Sequence, residues 1–495
     1  MQRSKPAAIN RSITGSDFLQ LDVRQAPVHG LSAWLAEQIR LAIADGRLPA
    51  GSRLPATRLL AAELRVSRGV VTEAYQRLVE DGHVAGRGRG GTVVLAPPVS
   101  AIRPAVLTRP KPVAAPEPRA LFEGAPGDDV FDALRTMPSR IDLTPGVPDL
   151  AAFPRAAWLR AERSVLGTLS PAALGYGDPR GAPAFRRTVA QWLGRYRGIR
   201  VDPEEVIVVA GVAQALGLLA QVIRGHGISE IAVEDPGSLG GRQQLADWGM
   251  TTPPVSVDAG GLLVPELAAS GAPAVLVTPA HQFPTGVVLD ATRRRELMTW
   301  AEAGGLVVED DYDAEHRYDR PPVPALRSLL AEQVCYTGSV SKVLAPALRV
   351  GWLLVPGRLR GDFVAAKRRA DLGNAVLPQL VLAELMASGE LERHLRMVRR
   401  RHRRRRDAMV AALSDWLPRA QVHGAAAGLH LTVTFDPNDG IDDIALAATA
   451  LEHGVKVQPL AWHRQRPGTP GLVLGYAART STQITDGIKI IGRLV

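Results

Sequence analysis

The sequence has little cysteine, no long hydrophobic run and no internal repeat. Cys335 is the one cysteine in 495 residues, which excludes an intrachain disulfide and favours a reducing compartment. No hydrophobic run approaches the length of a bilayer span, and residues 1–17 are polar without the apolar segment of a signal peptide. The missing repeat excludes solenoid architectures. These absences predict a cytoplasmic protein with no membrane partner.

The length and charge of the chain indicate several domains and an anionic partner. Hydrophobic residues make up 46% of the chain, which is enough for sizeable cores, and 495 residues exceed one typical domain. The formal net charge is +10 and the isoelectric point is about 10.1. This excess of positive charge favours a polyanion such as nucleic acid. We predict no metal site.

A proline-rich segment divides the sequence into two unequal parts. Eight prolines lie within residues 96–127, without a sustained helical or strand period. Because proline fixes φ and favours polyproline II, this segment is predicted to be a semi-extended linker. We assign residues 18–95 to an N-terminal domain, residues 96–138 to the linker, and residues 139–495 to a C-terminal domain whose small lobe begins at about residue 386.

Before the linker, apolar residues recur at helical spacing in three segments. The first segment repeats every four residues and comprises Leu31, Leu35, Ile39 and Ile43. A second helix is predicted over residues 55–64, with three inward-facing leucines: Leu59, Leu60 and Leu64. Ser67 is a suitable N-cap for a third helix.

Two short strands are predicted after the third helix. Residues 83–85 and 92–95 are β-type runs on either side of a Gly/Arg turn. Three helices and a ribbon make a winged helix-turn-helix. The segments 54–61 and 66–71 resemble the GntR class of DNA-binding domains.

Six side chains of this domain are predicted to contact DNA. The start of the third helix would enter the major groove with Ser67, Arg68 and Thr72. Arg58 would reach phosphate or base edges, and the wing would bring Arg87 and Arg89 to phosphate or the minor groove. Residues 1–95 hold thirteen Lys or Arg and eight Asp or Glu, which suits an electrostatic footprint. We therefore predict a double-stranded DNA operator as a partner, with protein contacts as the alternative use of the fold.

A second basic segment contains nine arginines within residues 393–406. It runs directly into an apolar stretch, so one long helix with a charged face is the favoured interpretation. Contact with DNA is the alternative.

After the linker, helical segments alternate with short β-branched runs. The runs are residues 206–209, 231–233, 274–277, 306–308 and 334–337. Such alternation predicts a mostly parallel sheet with crossover helices. A distinctive loop follows each run, and ligands gather beyond the carboxyl ends of strands in open α/β sheets.

The loop after the last run contains Lys342 together with Ser339, Ser341 and Arg349, and an acidic stretch upstream contains Asp310. A lysine can hold an aldehyde cofactor as a Schiff base. The pyridine nitrogen then needs a carboxylate, and the phosphate needs hydroxyls, amides and an arginine. These groups indicate a pyridoxal 5′-phosphate site at Lys342. The alternative is an ordinary surface lysine.

Further groups near these loops support the same site. The small-residue turn at 210–214 opens a helix whose free amides can receive a phosphate. A pyridinium would form a charge-assisted pair with Asp310, and a planar guanidinium at Arg349 matches two phosphate oxygens. His281 is expected either to stack near the ring or to be a hydrogen-bonded structural residue. The two carboxylates beside Asp310 are expected to cap turns or helices: Asp311 and Asp313.

From about Phe18 to its end, the chain resembles the MocR family of bacterial regulators, in which a GntR-type winged helix is linked to a domain like fold-type I aminotransferases. The resemblance rests on motifs at residues 176–181, 281–286, 310–313 and 341–342. It implies an aldimine at Lys342, Asp310 on the pyridinium nitrogen and Tyr312 on the phenolic oxygen. It also implies a phosphate site made by Ser339, Ser341, Arg349 and the amides of Val212 and Ala213, and a homodimer in which Tyr176 reaches the partner's cofactor.

One departure from the family bears on function. Val473 occupies the strand position that often carries the arginine gripping a substrate carboxylate. Three arginines are alternatives for that role: Arg464, Arg466 and Arg479. A further alternative is an effector without a carboxylate at that place.

Two functions remain open. The first is a transcriptional regulator that senses pyridoxal 5′-phosphate or an amino compound through an aldimine at Lys342. The second is an active pyridoxal-phosphate-dependent aminotransferase with a DNA-binding appendage. The winged helix and Val473 favour the regulator. The predicted fold class is α/β, with a winged helix, a Pro-rich linker, a large mostly parallel sheet domain and a small α+β lobe.

Overall fold

The computed structural model describes residues 19, 21–27, 30–86, 91–95, 118–318 and 323–495, and the chain divides into two compact units, residues 1–114 and 115–495. Arg87, Arg89 and residues 96–117 of the predicted linker lie outside the described residues. Among the helices described, none has the length and apolar character needed to cross a membrane.

The first unit contains the three helices and the ribbon that the sequence predicts. Its elements are α1 (Leu31–Ala44), α2 (Thr57–Leu64), α3 (Arg68–Glu80), β1 (Val84–Gly86) and β2 (Thr92–Val94). The two strands pair in antiparallel register. Ser67 caps α3 by accepting a hydrogen bond from the Val70 amide at 3.4 Å. One inward assignment is wrong, because Leu59 is 45% exposed whereas Leu60 is fully buried.

The second unit begins with a segment that the sequence analysis assigned to the linker. A 3-10 helix (Pro118–Phe122) and α4 (Val130–Thr136) occupy it. Phe122, Val130 and Leu134 are buried in the core of this unit. These apolar side chains stabilise the packing of residues 118–137. The prolines of the segment favoured the linker interpretation, which does not predict such packing.

An eight-stranded sheet forms the centre of the second unit. Its strands are β4 (Ile207–Val209), β5 (Ala232–Asp235), β6 (Pro254–Asp258), β7 (Gly261–Leu262), β8 (Ala274–Val277), β9 (Leu306–Asp311), β10 (Val334–Ser339) and β11 (Gly351–Leu354). The strand order is β4-β11-β10-β9-β8-β5-β6-β7. Strands β6, β5, β8, β9 and β10 are parallel to their neighbours in this series, whereas β11 and β7 are antiparallel. The predicted mostly parallel sheet is confirmed.

Helices cover this sheet. They are α5 (Arg155–Thr168), α6 (Pro183–Arg197), α7 (Val212–Gly225), α8 (Leu239–Asp247), α9 (Val264–Ser270), α10 (Ala291–Glu302), α11 (Arg360–Asp371) and α12 (Val376–Ala387). Separate apolar clusters fill the spaces between the helices and the sheet. Residues of β4 contribute to two of these clusters, so both faces of the strand are buried. Its sequence is therefore a continuous β-branched run.

A smaller α+β lobe follows. Its elements are β3 (Ile141–Asp142), which is contributed from earlier in the chain, α13 (Glu390–Trp416), β12 (Gln421–His423), β13 (His430–Thr434), α14 (Asp443–Glu452), β14 (Val455–Lys456), β15 (Gln458–Pro459), β16 (Gly471–Gly475) and α15 (Ser481–Ile491). One sheet has the order β12-β13-β16-β15, and β14 pairs with β3. Helix α13 confirms the prediction of one long helix across the arginine run.

Candidate functional site

Six of the large-sheet strands, β4, β5, β6, β8, β9 and β10, have their carboxyl ends at the same edge. In the parallel register of β9 and β10, Asp310 is the partner of Thr337, so the loop after β10 that carries Lys342 begins beside the acidic end of β9. Because parallel strands bring their carboxyl ends to one edge, loops separated in sequence meet there. They enclose a cavity of about 780 Å³.

Lys342 lies inside this cavity. Its Nζ donates a hydrogen bond to the carbonyl oxygen of Gly146 at 2.7 Å. Burial lowers the pKa of the Lys342 ammonium, and the carboxylates of Asp313 and Asp310 oppose that shift. A lowered pKa raises the fraction of free amine, which is the form that attacks an aldehyde.

Asp310 lines the same cavity as a partly buried acid. Its Oδ1 is buried and has no hydrogen-bond partner among the described residues. Burial, followed by the nearby Asp311, raises the pKa of Asp310 to about 7, although Lys342 opposes the rise. An orphaned buried carboxylate oxygen is costly unless a ligand supplies a donor. A protonated ring nitrogen is such a donor.

Another group of cavity residues suits an oxyanion. The first turn of α7 presents Val212 and Ala213 to the cavity, and Ser339, Ser341 and Arg349 line it as well. The Nη1 of Arg349 lies 3.3 Å from the position that a Cβ would take on Gly211, where φ is +88°. Glycine is therefore required there by both the backbone and the close approach of the guanidinium. A helix N-terminus, two hydroxyls and an arginine match the needs of a phosphate.

A buried hydrogen-bond network lies around Tyr312. The Tyr312 hydroxyl is 3.0 Å from Nδ1 of His281, and the Asp313 carboxylate is 2.9 Å from the same nitrogen. His430 brings a ring nitrogen close enough that one ligand atom from each of His281, Asp313 and His430 lies within 4.8 Å of the others. The Nε2 of His430 is already 3.1 Å from the carbonyl of Pro284. His281 and Asp313 are thus bonded to each other and His430 is bonded to the backbone, while Nε2 of His281 is buried and has no hydrogen-bond partner among the described residues.

The expected capping roles of two carboxylates are wrong. Asp311 forms a buried ion pair with Arg197 at 2.5 Å and accepts a hydrogen bond from the Tyr336 hydroxyl. Asp313 is paired with His281. Arg197 is 114 residues away from Asp311 in the chain, so local sequence does not reveal the pair.

Eight of the ten predicted cofactor residues line the cavity. They are Lys342, Asp310, Tyr312, Ser339, Ser341, Arg349, Val212 and Ala213. Of the other two, His281 does not line the cavity and is buried with hydrogen bonds to Tyr312 and Asp313. Tyr176 is 95% exposed on this chain.

None of the three arginine alternatives to Val473 lines the cavity. Val473 itself is fully buried in β16. Arg466 pairs with Glu266 at 2.5 Å, and Arg479 donates to the carbonyl of Asp142 at 2.9 Å. Arg464 lies against Gly468.

The cavity also contains polar residues that the sequence interpretation missed. They are Glu234, Thr278, Lys456, Gln458, His463 and Arg135. Thr278 donates to the Glu234 carboxylate through its hydroxyl at 2.6 Å. Burial raises the pKa of Glu234 to about 7, and these hydrogen bonds oppose the rise. Glu234 directly follows a predicted strand, which was the available signal.

The first unit presents a polar, exposed helix surface. Arg58, Ser67, Arg68 and Thr72 are all exposed, whereas the opposite side of α3 is buried. The Thr72 hydroxyl donates to the carbonyl of Arg68 at 2.9 Å, which fixes that side chain on the first turn. This leaves the N-terminal end of α3 free for an external ligand.

The arginines of α13 divide into two groups. Some are held within the second unit: Arg399 donates to the carbonyl of Glu315 at 2.5 Å, and Arg401 and Arg405 each lie 3.0 Å from Asp149. Five others are exposed: Arg393, Arg396, Arg400, Arg403 and Arg404. Some arginines of the charged face therefore bond to other residues of the second unit, and the others are exposed to solvent.

Replacing Asp310 with Asn is expected to have opposite effects on stability and cofactor affinity. The folded carboxyl has a pKa of about 7, above its ordinary value of 3.8, so the wild type loses stability as pH rises from about 4 to about 7. Without cofactor, the Asn variant should melt at a higher temperature than wild type at pH 8, and the gap should be smaller at pH 5. Its affinity for pyridoxal 5′-phosphate should fall, because Asn cannot neutralise a pyridinium. Thermal melts and cofactor titrations test this, with the exposed Asp247→Asn as control. A lower melting temperature of the Asn variant at pH 8 would contradict the account.

The two units match separate protein families. Residues 31–94 match the family described as bacterial regulatory proteins, gntR family. Residues 139–488 match aminotransferase class I and II.

Two regulatory proteins are similar to this chain over most of their length, and one solved aminotransferase structure matches 76% of it. The chain is 32% identical to the probable rhizopine catabolism regulatory protein MocR of Rhizobium meliloti, covering 92% of each chain. It is 33% identical to the HTH-type pyridoxine biosynthesis transcriptional regulator PdxR of Corynebacterium glutamicum, over 92% of this chain and 95% of the relative. The structure of α-aminoadipate aminotransferase from Thermus thermophilus, complexed with N-(5′-phosphopyridoxyl)-L-leucine, matches with a TM-score of 0.66 and 26% identity, over 76% of this chain and 95% of that one.

Proposed function

The chain belongs to the MocR family, and we propose that it regulates transcription by sensing pyridoxal 5′-phosphate, or an amino compound that reacts with it, at Lys342. It is a transcriptional regulator with a GntR-type DNA-binding domain and an aminotransferase-like domain. The observation that carries the proposed sensing role is the cavity in which Lys342 Nζ and the unpartnered Asp310 oxygen meet.

The described residues fit pyridoxal 5′-phosphate at both of its ends. Asp310 would pair with the ring nitrogen, and Tyr312 would approach the phenolic oxygen. The phosphate would be held by Arg349, Ser339 and Ser341 with the first amides of α7. When bound, the cofactor supplies an aldehyde that condenses with a primary amine with loss of water. Lys342 supplies one such amine, and an amino effector would supply a competing one.

We infer a homodimer, because the second unit exposes several large apolar side chains. They include Leu159, Leu166, Leu174, Tyr176 and Leu372, each at least 50% exposed. Exposed apolar residues of this size mark interaction surfaces when they form a patch. In a dimer, Tyr176 would be available to the partner's cavity, and two DNA-binding domains would bind two half-sites with gained avidity.

The Arg68→Ala variant is expected to weaken operator binding by about 1 to 3 kcal/mol if Arg68 reads a base. Arg68 is exposed at the first position of α3, where the helix dipole and free amides also favour phosphate. Arg77→Ala is the matched control, because Arg77 lies at the other end of α3 and pairs with Glu73. Fluorescence anisotropy with operator DNA measures both. Equal affinities of wild type and Arg68→Ala would refute the recognition role.

Transaminase turnover is expected to be slow or absent. The buried Val473 leaves no guanidinium at the strand position that grips a substrate carboxylate, so a bound amino acid lacks a fixed orientation. The test is a coupled assay with amino donors and 2-oxo acids, using the cofactor-loaded full chain. Rapid multiple turnover with a common amino acid would instead support an active aminotransferase with a DNA-binding appendage.

A further inference from the structure

Lys456 occupies an unusual position in the small lobe. It ends β14 and is followed by Val457 and then Gln458 in β15. Lys456 and Gln458 both line the cavity that contains Lys342, whereas Val457 is buried in the apolar core of the lobe. This alternation is that of an extended strand, with one polar face toward the cavity.

Lysine is scarce in this chain, which makes its placement informative. The sequence has six lysines among 59 Lys and Arg residues, and two of the six line the same cavity. Lys367 is paired with Asp371, and Lys489 lies 5.0 Å from the centre of the Trp416 ring. Among the described residues, Lys456 has no comparable ion pair or cation–π contact.

The charge of Lys456 is buried without an anion. The residue is 3% exposed, and its Nζ has one weak contact, 3.4 Å from the carbonyl oxygen of Arg135. No carboxylate of the described ranges lies within 4.0 Å of it. Its register partner Asp142 uses one oxygen for Thr144 and has Arg479 at 3.5 Å from the other. Burial lowers the pKa of Lys456, and Asp142 opposes that shift.

A second donor lies on the same strand face. The side-chain oxygen of Gln458 is 3.1 Å from Nε2 of His463. The amide nitrogen of Gln458 donates to none of the residues that the structure describes, so it is available to a ligand. Gln458 is also the register partner of Val473 across the sheet. The Lys456 ammonium and the Gln458 amide N–H group are therefore the donors present here in place of the guanidinium that is missing at Val473. They are weaker donors than a guanidinium, and they lie at different positions.

We propose that Lys456, assisted by the amide of Gln458, binds the carboxylate of an amino-acid effector in the cavity. The inference rests on the proposed sensing role of Lys342, because the effector's amine would react at the cofactor while its carboxylate lies at Lys456. A buried unpaired cation is costly, and an incoming carboxylate removes that cost. An ammonium binds as a point charge without the fixed fork of a guanidinium. Lys456 therefore holds the effector without fixing it for catalysis.

The test uses the cofactor-loaded full chain and paired probes. The probes are unbranched amino acids that carry the amine at one end and the carboxylate at the other, from glycine to 5-aminopentanoate. Each is compared with the n-alkylamine that has the same number of carbon atoms. Binding is measured by calorimetry and by the change in the cofactor's absorbance spectrum. In wild type, at least one amino acid should bind roughly 10- to 100-fold more tightly than its alkylamine, the range expected for a hydrogen bond to a charged group.

Variants then test whether Lys456 causes this preference for a carboxylate. Lys456→Met keeps the aliphatic stem and should reduce the preference to near unity, while alkylamine affinity and the cofactor spectrum stay unchanged. Lys456→Arg should restore part of the preference, and Lys489→Met is the matched control outside the cavity. A wild-type protein with no preference for any carboxylate probe, or an unchanged preference in Lys456→Met, would overturn the inference while leaving the sensing role intact. A wild-type protein that never acquires the cofactor spectrum would instead overturn the proposed function.

Discussion

Lys342→Ala is expected to abolish covalently bound pyridoxal 5′-phosphate and its visible absorbance band while the fold survives. Lys342 and Lys456 both line the cavity with Asp310 and Arg349, but Lys342 follows directly after Ser339 and Ser341, and its ammonium interacts with the Asp310 carboxylate. Its lowered pKa favours the reactive free amine. Removing a side chain that faces a cavity and forms one hydrogen bond should cost little stability. The expected loss of the covalent adduct is complete.

The measurement is absorbance of the purified protein followed by borohydride reduction and peptide mass analysis. In wild type the cofactor mass should appear on the peptide containing Lys342. Lys489→Ala, which removes a lysine of α15 outside the cavity, should leave both signals unchanged. A persistent visible band in Lys342→Ala, with the cofactor on another lysine, would contradict the assignment.

Loading the cavity is expected to change operator affinity by about 5- to 150-fold. An effector can shift a conformational equilibrium only by its differential affinity for the two states, and coupling energies of about 1 to 3 kcal/mol are typical. The second unit contributes the reactive cavity and the first unit contributes the exposed N-terminal end of α3. Reciprocity requires that operator DNA shift cofactor or amine affinity by the same factor.

Much of the fold could be predicted from local pattern. The five predicted strands are β4, β5, β8, β9 and β10 of the large sheet. These strands are buried on both faces, so their sequences are short, continuous and β-branched. The site residues near Lys342 follow strand ends, and a parallel sheet brings such loops together whatever their separation in sequence.

Other features depend on partners that are distant in the chain. Asp311 reads as a turn residue, yet its partner is Arg197 on α6. Lys456 and Gln458 look like ordinary polar residues of a strand, but their strands pair with β3 and β16, which are distant in the chain, and both residues line the cavity. Leu59 shows a different limit of prediction from the sequence. A leucine at helical spacing can be exposed when the buried face of the helix is narrow.

The segment before β3 shows how composition can mislead. Prolines near residues 110–126 favour an extended linker, and the sequence predicts that this linker continues to residue 138. Phe122 and Val130 instead pack in the core of the second unit. Burial of these apolar side chains contributes favourable free energy to the ordering of the segment.

The most direct test of the sensing role is a titration of operator DNA with three forms of the full-length protein. They are the cofactor-free wild type, the wild type loaded with pyridoxal 5′-phosphate in the presence and absence of an amine, and Lys342→Ala under the same conditions. The account predicts that loading or amine addition changes the dissociation constant of the wild type by at least about 5-fold, and that Lys342→Ala shows no change. Identical affinities and identical DNA footprints for the free, loaded and amine-treated wild type would contradict it.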